Sequence, residues 1–150
     1  MKFCMRQSIF LLLLIFSSLT HSNEHKTVTL WVQGALLNTL SLSYKDKPLQ
    51  ESPNRINYTF NAWNAITGFL GGYMKTVRAR ELTLSPQPVN KPTVVNSGVV
   101  SGIQFWRVNQ SILLPELTLQ VDFSLVVLAR DPTTGGPYII QSMDIRKKQF

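Results

Sequence analysis

The chain has 150 residues, of which 44% are hydrophobic and 15% are charged, with a formal net charge of +7. This length predicts one domain that can bury a hydrophobic core. The basic residues are spread along the chain rather than grouped among stacking aromatic side chains, which argues against nucleic-acid binding.

The N-terminal segment has the order of a secretory signal peptide. Lys2 and Arg6 precede an unbroken apolar run over residues 9–16, and small hydroxyl residues follow it. The run is much shorter than the roughly 20 residues that a spanning helix needs. We therefore expect residues 1–22 to be a signal peptide cleaved after Ser22, or a short uncleaved anchor, and residues 23–150 to be a single domain. Membrane contact is expected only if the anchor is retained.

Cleavage would remove the only cysteine, Cys4, and two basic residues. The remaining 13 basic and 8 acidic residues give 13 − 8 = +5. An exported domain without a disulfide depends on its hydrophobic core for stability.

Two helices are predicted in the first half of the domain. Apolar residues recur at three- and four-residue steps over residues 27–44, which is the spacing of one helical face. A proline-rich loop over residues 45–55 follows. Thr59 is the predicted N-cap of the second helix, and Gly71-Gly72 is predicted to stop or kink it. Tyr73, Met74 and Val77 indicate one or two further helical turns beyond the glycines.

The second half alternates as strands. An edge or bent segment begins at Leu82 because Pro86, Pro88 and Pro92 cannot donate to a central ladder. Gly98 is expected to permit a turn or bulge, and Gly102 a second bend. The predicted strands that follow cover residues 103–114, 117–128 and 138–145, with a turn at Pro115-Glu116 and another over residues 131–136.

Two amphipathic helices followed by an antiparallel meander bury their apolar faces by placing the helices on one side of a curved sheet. The predicted fold class is α+β. One row of the 117–128 strand is predicted to face the helices and is wholly apolar: Leu117, Leu119, Val121, Phe123 and Leu125.

The residues of the predicted domain offer little catalytic chemistry. They include one histidine, His25, which we expect to be an exposed terminal residue, and no cysteine. Glu116 and Asp122 are expected to share a solvated strand face, and Asp131 to bond nearby amides in a turn. We therefore predict no enzyme activity, no metal and no cofactor. A ligand-binding or enzymatic domain stays open as an alternative, but it would need polar residues on the concave face of the sheet.

The stretch from Gly98 through Gly102 to Arg107 is the best candidate for an interaction or packing site. Trp106 alternates with Val108 and favours the core, whereas Phe105 makes the opposite face apolar beside Arg107. We expect one aromatic residue of this pair to be core and the other to be available to a partner.

The sequence resembles the IcmL/DotI/TraM family of type IVB secretion and conjugation machines over residues 27–145. The matching stretches are Tyr58-Thr59-Phe60-x-x-Trp63, residues 92–99, residues 102–108, and residues 136–141. Gly135-Gly136 stands where the family has Arg-Gly.

The resemblance implies a periplasmic domain with a nuclear-transport-factor-two-like cone, in which two to three helices pack on a curved four-stranded antiparallel sheet. It implies a non-enzymatic scaffold or accessory subunit of a secretion system. The partners would be other secretion-system subunits, sibling domains of the family or further copies of the chain. The short N-terminal run favours a soluble periplasmic paralogue over a membrane-anchored core subunit. A secreted host-binding protein is the remaining alternative.

Overall fold

The structure is a computed structural model that describes the backbone of residues 4–150 and the side chains of residues 22–150. The predicted signal peptide of residues 1–22 therefore lies outside the fully described part of the chain, and its cleavage stays a prediction. Within the described residues, no helix is both long and apolar enough to cross a bilayer.

Two helices form one layer. Helix α1 spans Cys4–Leu40 and helix α2 spans Phe60–Ala79. The predicted apolar stripe of α1 is buried, with Val28, Val32 and Leu36 fully inaccessible to solvent. The predicted loop between the helices contains two short 3-10 turns, Leu49–Glu51 and Pro53–Asn57.

Helix α2 begins where the sequence predicts. The Thr59 hydroxyl accepts a hydrogen bond from the Ala62 amide at 3.3 Å, as an N-cap does, and also donates to the Gln141 carbonyl at 2.6 Å. The same threonine therefore starts the helix and ties it to the sheet.

Gly71-Gly72 does not stop helix α2, which continues to Ala79 through the further turns that the sequence predicts beyond the glycines. Met74 and Val77, beyond the glycines, are buried in the core. Burying two such side chains stabilises the helix by roughly 3–6 kcal/mol, which exceeds the roughly 1 kcal/mol that each glycine costs.

The sheet is antiparallel and contains five strands in the order β1-β3-β4-β5, with β2 beside β3. The strands are β1 (Gln87–Pro88), β2 (Thr93–Val100), β3 (Ile103–Leu114), β4 (Leu119–Ala129) and β5 (Tyr138–Gln149). Four long strands match the predicted sheet, and β1 is a two-residue addition at the proline-rich edge, where Pro86, Pro88 and Pro92 limit pairing.

The α+β fold class is confirmed, and so are the bounds of β3. The five residues predicted to face the helices are all buried: Leu117, Leu119, Val121, Phe123 and Leu125. Strand β5 is longer than predicted because the basic residues Arg146, Lys147 and Lys148 continue the ladder opposite β4 instead of forming a tail.

Arg130 holds the turn before β5. Its side chain donates from Nη1 to the Ile56 carbonyl at 2.8 Å and from Nε to the Gly136 carbonyl at 3.3 Å. The turn is therefore held by an arginine that precedes it in the sequence. In the family that this chain resembles, an Arg-Gly pair stands at the position of Gly135-Gly136.

Candidate interaction surface

The candidate residues of β3 divide between the two faces of the sheet, the inner face toward the helices and the outer face turned away from them. Neighbouring residues of a strand point to opposite faces, and β3 pairs with β4 in continuous register from Phe105 opposite Leu128 to Leu114 opposite Leu119. Phe105 and Arg107 therefore lie on the outer face, and Trp106 lies on the inner face.

One end of the outer face is apolar. We call Val100, Ile103, Phe105, Val126 and Leu128 the outer apolar patch, and together with Arg107 and Gln141 they line a groove of about 460 Å³. Ile103 is 48% exposed, and Arg107 and Gln141 are exposed beside it. Apolar side chains rimmed by polar ones are typical of protein-interaction sites.

Val100, Ile103, Val126 and Leu128 were not among the candidate residues taken from the sequence. A signal for Val126 and Leu128 was present, because both faces of the chain become apolar over residues 126–128. Counting back from a two-residue turn at Pro115-Glu116 would have placed Val126 opposite Phe105, whereas the four-residue connection of the structure, residues 115–118, places Leu128 there.

Gly98 lies inside β2, opposite Phe105, so the predicted turn or bulge at Gly98 was wrong. The irregularity in β2 falls between Val94 and Asn96 instead. A Cβ atom at Gly98 would stand only 3.1 Å from Cε1 of Phe105, so the glycine leaves room for the Phe105 ring. The missing side chain of Gly98 therefore lets the Phe105 ring pack against β2.

Gly102 forms the predicted bend. Ser101 and Gly102 both have positive φ angles, of 51° and 77°, which is the backbone of a two-residue hairpin turn. This turn fixes the register of β2 on β3 and so brings Val100 beside Ile103.

Trp106 belongs to the core. It is 4% exposed, and its ring packs edge-on against Tyr138 with a centroid distance of 5.3 Å. Trp31 contacts the same tyrosine at 5.5 Å, so three aromatic rings join α1, β3 and β5. The Trp106 Nε1 group has no hydrogen-bond partner among the described residues.

The other end of the outer face is polar. Its groove of about 410 Å³ is lined on three strands by Asn109, Ser111, Asp122, Ser124, Asp144 and Arg146. Asp122 accepts hydrogen bonds from Ser111 at 2.6 Å and from Gln120 at 2.9 Å. These two bonds, with Ser111 the stronger influence, lower the pKa of Asp122 below its ordinary value.

The remaining candidates for chemistry have separate local roles. Glu116 is in the turn before β4 and accepts a hydrogen bond from the Ser85 amide at 3.0 Å, so it does not share a strand face with Asp122. Asp131 accepts from the Thr133 amide at 3.0 Å, as predicted, and this bond lowers its pKa. His25 is half-buried in α1, with Nε2 3.4 Å from the Ser97 hydroxyl, so the expectation that it is exposed was wrong. Its place near the N-terminus of a cleaved chain stays a prediction.

Among the residues that the structure describes, no three His, Cys, Asp or Glu side chains come together as a metal site. The inner face of β4 is apolar along its whole length. On the neighbouring strand β3 the inner face includes one buried polar side chain, Gln110, whose Oε1 atom has no hydrogen-bond partner among the described residues.

Two solved structures with the same fold are a periplasmic domain and a periplasmic fragment. The structure of the periplasmic domain of DotI superimposes with a TM-score of 0.65 at 16% identity, covering 79% of this chain and 92% of that one. A periplasmic fragment of TraM gives 0.63 at 17% identity, covering 77% and 91%. This chain has the DotI and TraM fold.

A third structure with the fold is an IcmL-like type IV secretion system protein from Legionella pneumophila. It has a TM-score of 0.59 at 12% identity, covering 83% of this chain and 94% of that one. No protein-family model matches the sequence, and the comparison with curated proteins finds no significant relative. The fold predicted from the resemblance is therefore confirmed over most of the chain.

Proposed function

We propose that the protein is a periplasmic component of a type IVB secretion or related conjugation apparatus and works by binding other proteins. The observation that carries this proposal is the shared fold over 92% of the DotI periplasmic domain. Similarity at this level of identity supports the fold directly and the role by inference.

The distribution of polar and apolar side chains supports a binding role over a catalytic one. The cone interior is filled mainly by apolar side chains, and Thr39 and Gln110 are the buried polar residues among those described. The carboxyl groups with a lowered pKa, Asp122 and Asp131, lie on the outer face and in a turn. Burial raises the pKa of Tyr58, just before α2, and of Tyr138, at the start of β5. An enzyme of this fold would need ionisable groups gathered in a pocket that excludes water.

The outer apolar patch is the surface that we assign to partner binding. Its members come from β2, β3 and β4, so the sheet holds them rigidly in one plane, and Arg107 adds a charge at the rim. Interaction sites combine such an apolar centre with a polar rim. The partners that we propose are other secretion-system subunits or copies of the same domain.

The test is recovery of partners from cells that carry the apparatus. The tagged full chain should recover secretion-system subunits, and Ile103→Asp should reduce that recovery at least tenfold, because it places a charge in the patch. Val89→Asp is the matched control, since Val89 is 47% exposed and Ile103 is 48% exposed, while Val89 lies outside the patch. Repeated failure of the wild-type chain to recover any secretion subunit would contradict the proposal.

A further inference from the structure

Strand β2 has one edge without a partner. It pairs with β3 on one side, and among the described residues no strand pairs with its other side. Unpaired edges are usually protected by charged residues or prolines. The eight residues of β2, Thr93–Val100, contain neither, and Val95, Val99 and Val100 are exposed.

The hairpin turn determines which backbone groups of β2 are free. A two-residue turn at Ser101-Gly102 makes Val100 and Ile103 a hydrogen-bonded pair. In an antiparallel ladder, hydrogen-bonded and non-hydrogen-bonded pairs alternate. The N–H and C=O groups of Val99 and Ser97 therefore point away from β3, toward the open edge.

We propose that β2 pairs in antiparallel fashion with β2 of a second copy of this chain, about a two-fold axis at Gly98. In this register Ser97 faces Val99 of the second copy and exchanges backbone hydrogen bonds with it. Asn96 faces Val100 of the second copy in a non-hydrogen-bonded pair. No two like charges meet across the new ladder, because the paired residues are all uncharged.

Gly98 and Phe105 favour this register over a shifted one. The Phe105 ring lies against Gly98 of its own chain. With the axis at Gly98, the row across the sheet would read Phe105, Gly98, Gly98, Phe105, and the two phenylalanine Cα atoms would be about 14 Å apart at a strand spacing of about 4.8 Å. The bare glycine pair would then be covered by one ring from each side.

The irregularity between Val94 and Asn96 and the turn at Ser101 limit the regular open edge to Ser97 and Val99, which lie on either side of Gly98. A second copy presents the same two residues, so a two-fold axis at Gly98 pairs all of their free backbone groups at once. The two outer apolar patches would merge into one larger apolar surface. A single strand pair buries less area than the roughly 800 Å² per partner of a standard interface, so the dimer should be weak.

The proposed dimer rests on the proposed function, in which the domain works by association. The dimer can be measured with the purified full chain alone. Sedimentation equilibrium over a concentration series should show a monomer–dimer equilibrium. Val99→Pro should raise the dissociation constant at least tenfold, because it removes an N–H that points to the open edge and none that bonds β3. Val99→Thr, which keeps that N–H and the β-branched shape, should dimerise like the wild type.

Circular dichroism and thermal melting of both variants would show that the fold is retained. A chain that stays monomeric up to millimolar concentration would overturn the inference. A Val99→Pro dimer as tight as the wild type would overturn it too. Either result leaves the recovery of secretion subunits unaffected, so the two proposals fail separately.

Cysteine cross-linking tests the register. In a Cys4→Ser background, a mixture of Asn96→Cys and Val100→Cys chains should form disulfide-linked dimers, because facing residues of a non-hydrogen-bonded pair have Cα atoms about 4.5 Å apart. Neither chain alone should cross-link efficiently. Efficient linkage of Asn96→Cys with itself would contradict the axis at Gly98.

Discussion

Replacing Trp106 with alanine tests the assignment of the two faces of β3. Trp106 is 96% buried and contacts Tyr138 edge-on, so its removal leaves a cavity beneath the sheet. Truncating a buried aromatic side chain to alanine costs about 3–5 kcal/mol, and the lost aromatic pair is worth about 0.5–1.5 kcal/mol of this. At about 3–5 °C per kcal/mol for a domain of this size, we expect the melting temperature to fall by about 10–20 °C.

Trp106→Phe is the informative companion variant. Phenylalanine keeps most of the ring and removes the Nε1 group, which has no hydrogen-bond partner among the described residues. We therefore expect it to cost less than about 2 kcal/mol, because no hydrogen bond is lost. Urea and thermal unfolding of the full chain measure both variants. A Trp106→Ala protein that melts within about 2 °C of the wild type, but no longer binds a partner, would refute the placement of Trp106 in the core.

Four further variants test the local physics. Thr59→Ala should lower the unfolding free energy by about 1–2 kcal/mol in urea melts, because it removes both the cap of α2 and a bond to β5; an unchanged midpoint would count against this role. Gly71→Ala should raise stability by about 0.5–1 kcal/mol, since nothing lies within 4 Å of its added Cβ, and a loss would indicate an unseen contact. Gly135→Ala should lower the unfolding free energy by about 1–3 kcal/mol, because φ is 125° and the new Cβ would lie 2.6 Å from the Ile56 side chain. An unchanged melting temperature would contradict this geometry. The folded-state pKa of Asp122 is below its ordinary 3.8, so its stabilising contribution is present above about pH 4 and is lost as the pH falls through the folded pKa. Asp122→Asn should therefore differ from wild type in urea melts at pH 6 and converge with it in acid; a constant difference would argue against this linkage.

The sequence was sufficient to predict the fold class because its periodic patterns are long. The apolar row of β4 and the stripe of α1 each repeat over several turns or strand steps, and burial of those rows determines the faces that meet. The N-cap at Thr59 and the bend at Gly102 were also predictable, since each depends on a local backbone requirement.

The errors came from tertiary contacts that override local preference. Gly71-Gly72 does not end α2, because Met74 and Val77 are held by the core beyond it. Gly98 looked like a turn residue, but its missing side chain instead makes room for an aromatic ring on the neighbouring strand. A single sequence does not distinguish these two uses of glycine.

The extent of the candidate surface depends on strand register. Phe105 and Arg107 could be named from alternation alone, whereas Val100 and Leu128 join them only through pairing across β2, β3 and β4. The free edge of β2 likewise follows from the order of strands in the sheet.

We propose that this domain is part of a secretion apparatus and binds its partners through the outer apolar patch. Quantitative mass spectrometry of material recovered with the tagged full chain, from cells that carry the apparatus, is the decisive experiment. The wild type and Val89→Asp should recover secretion-system subunits equally, and Ile103→Asp should recover at least tenfold less. Equal recovery by all three chains would contradict the patch as the binding surface, and no recovery by any of them would contradict the secretion role itself.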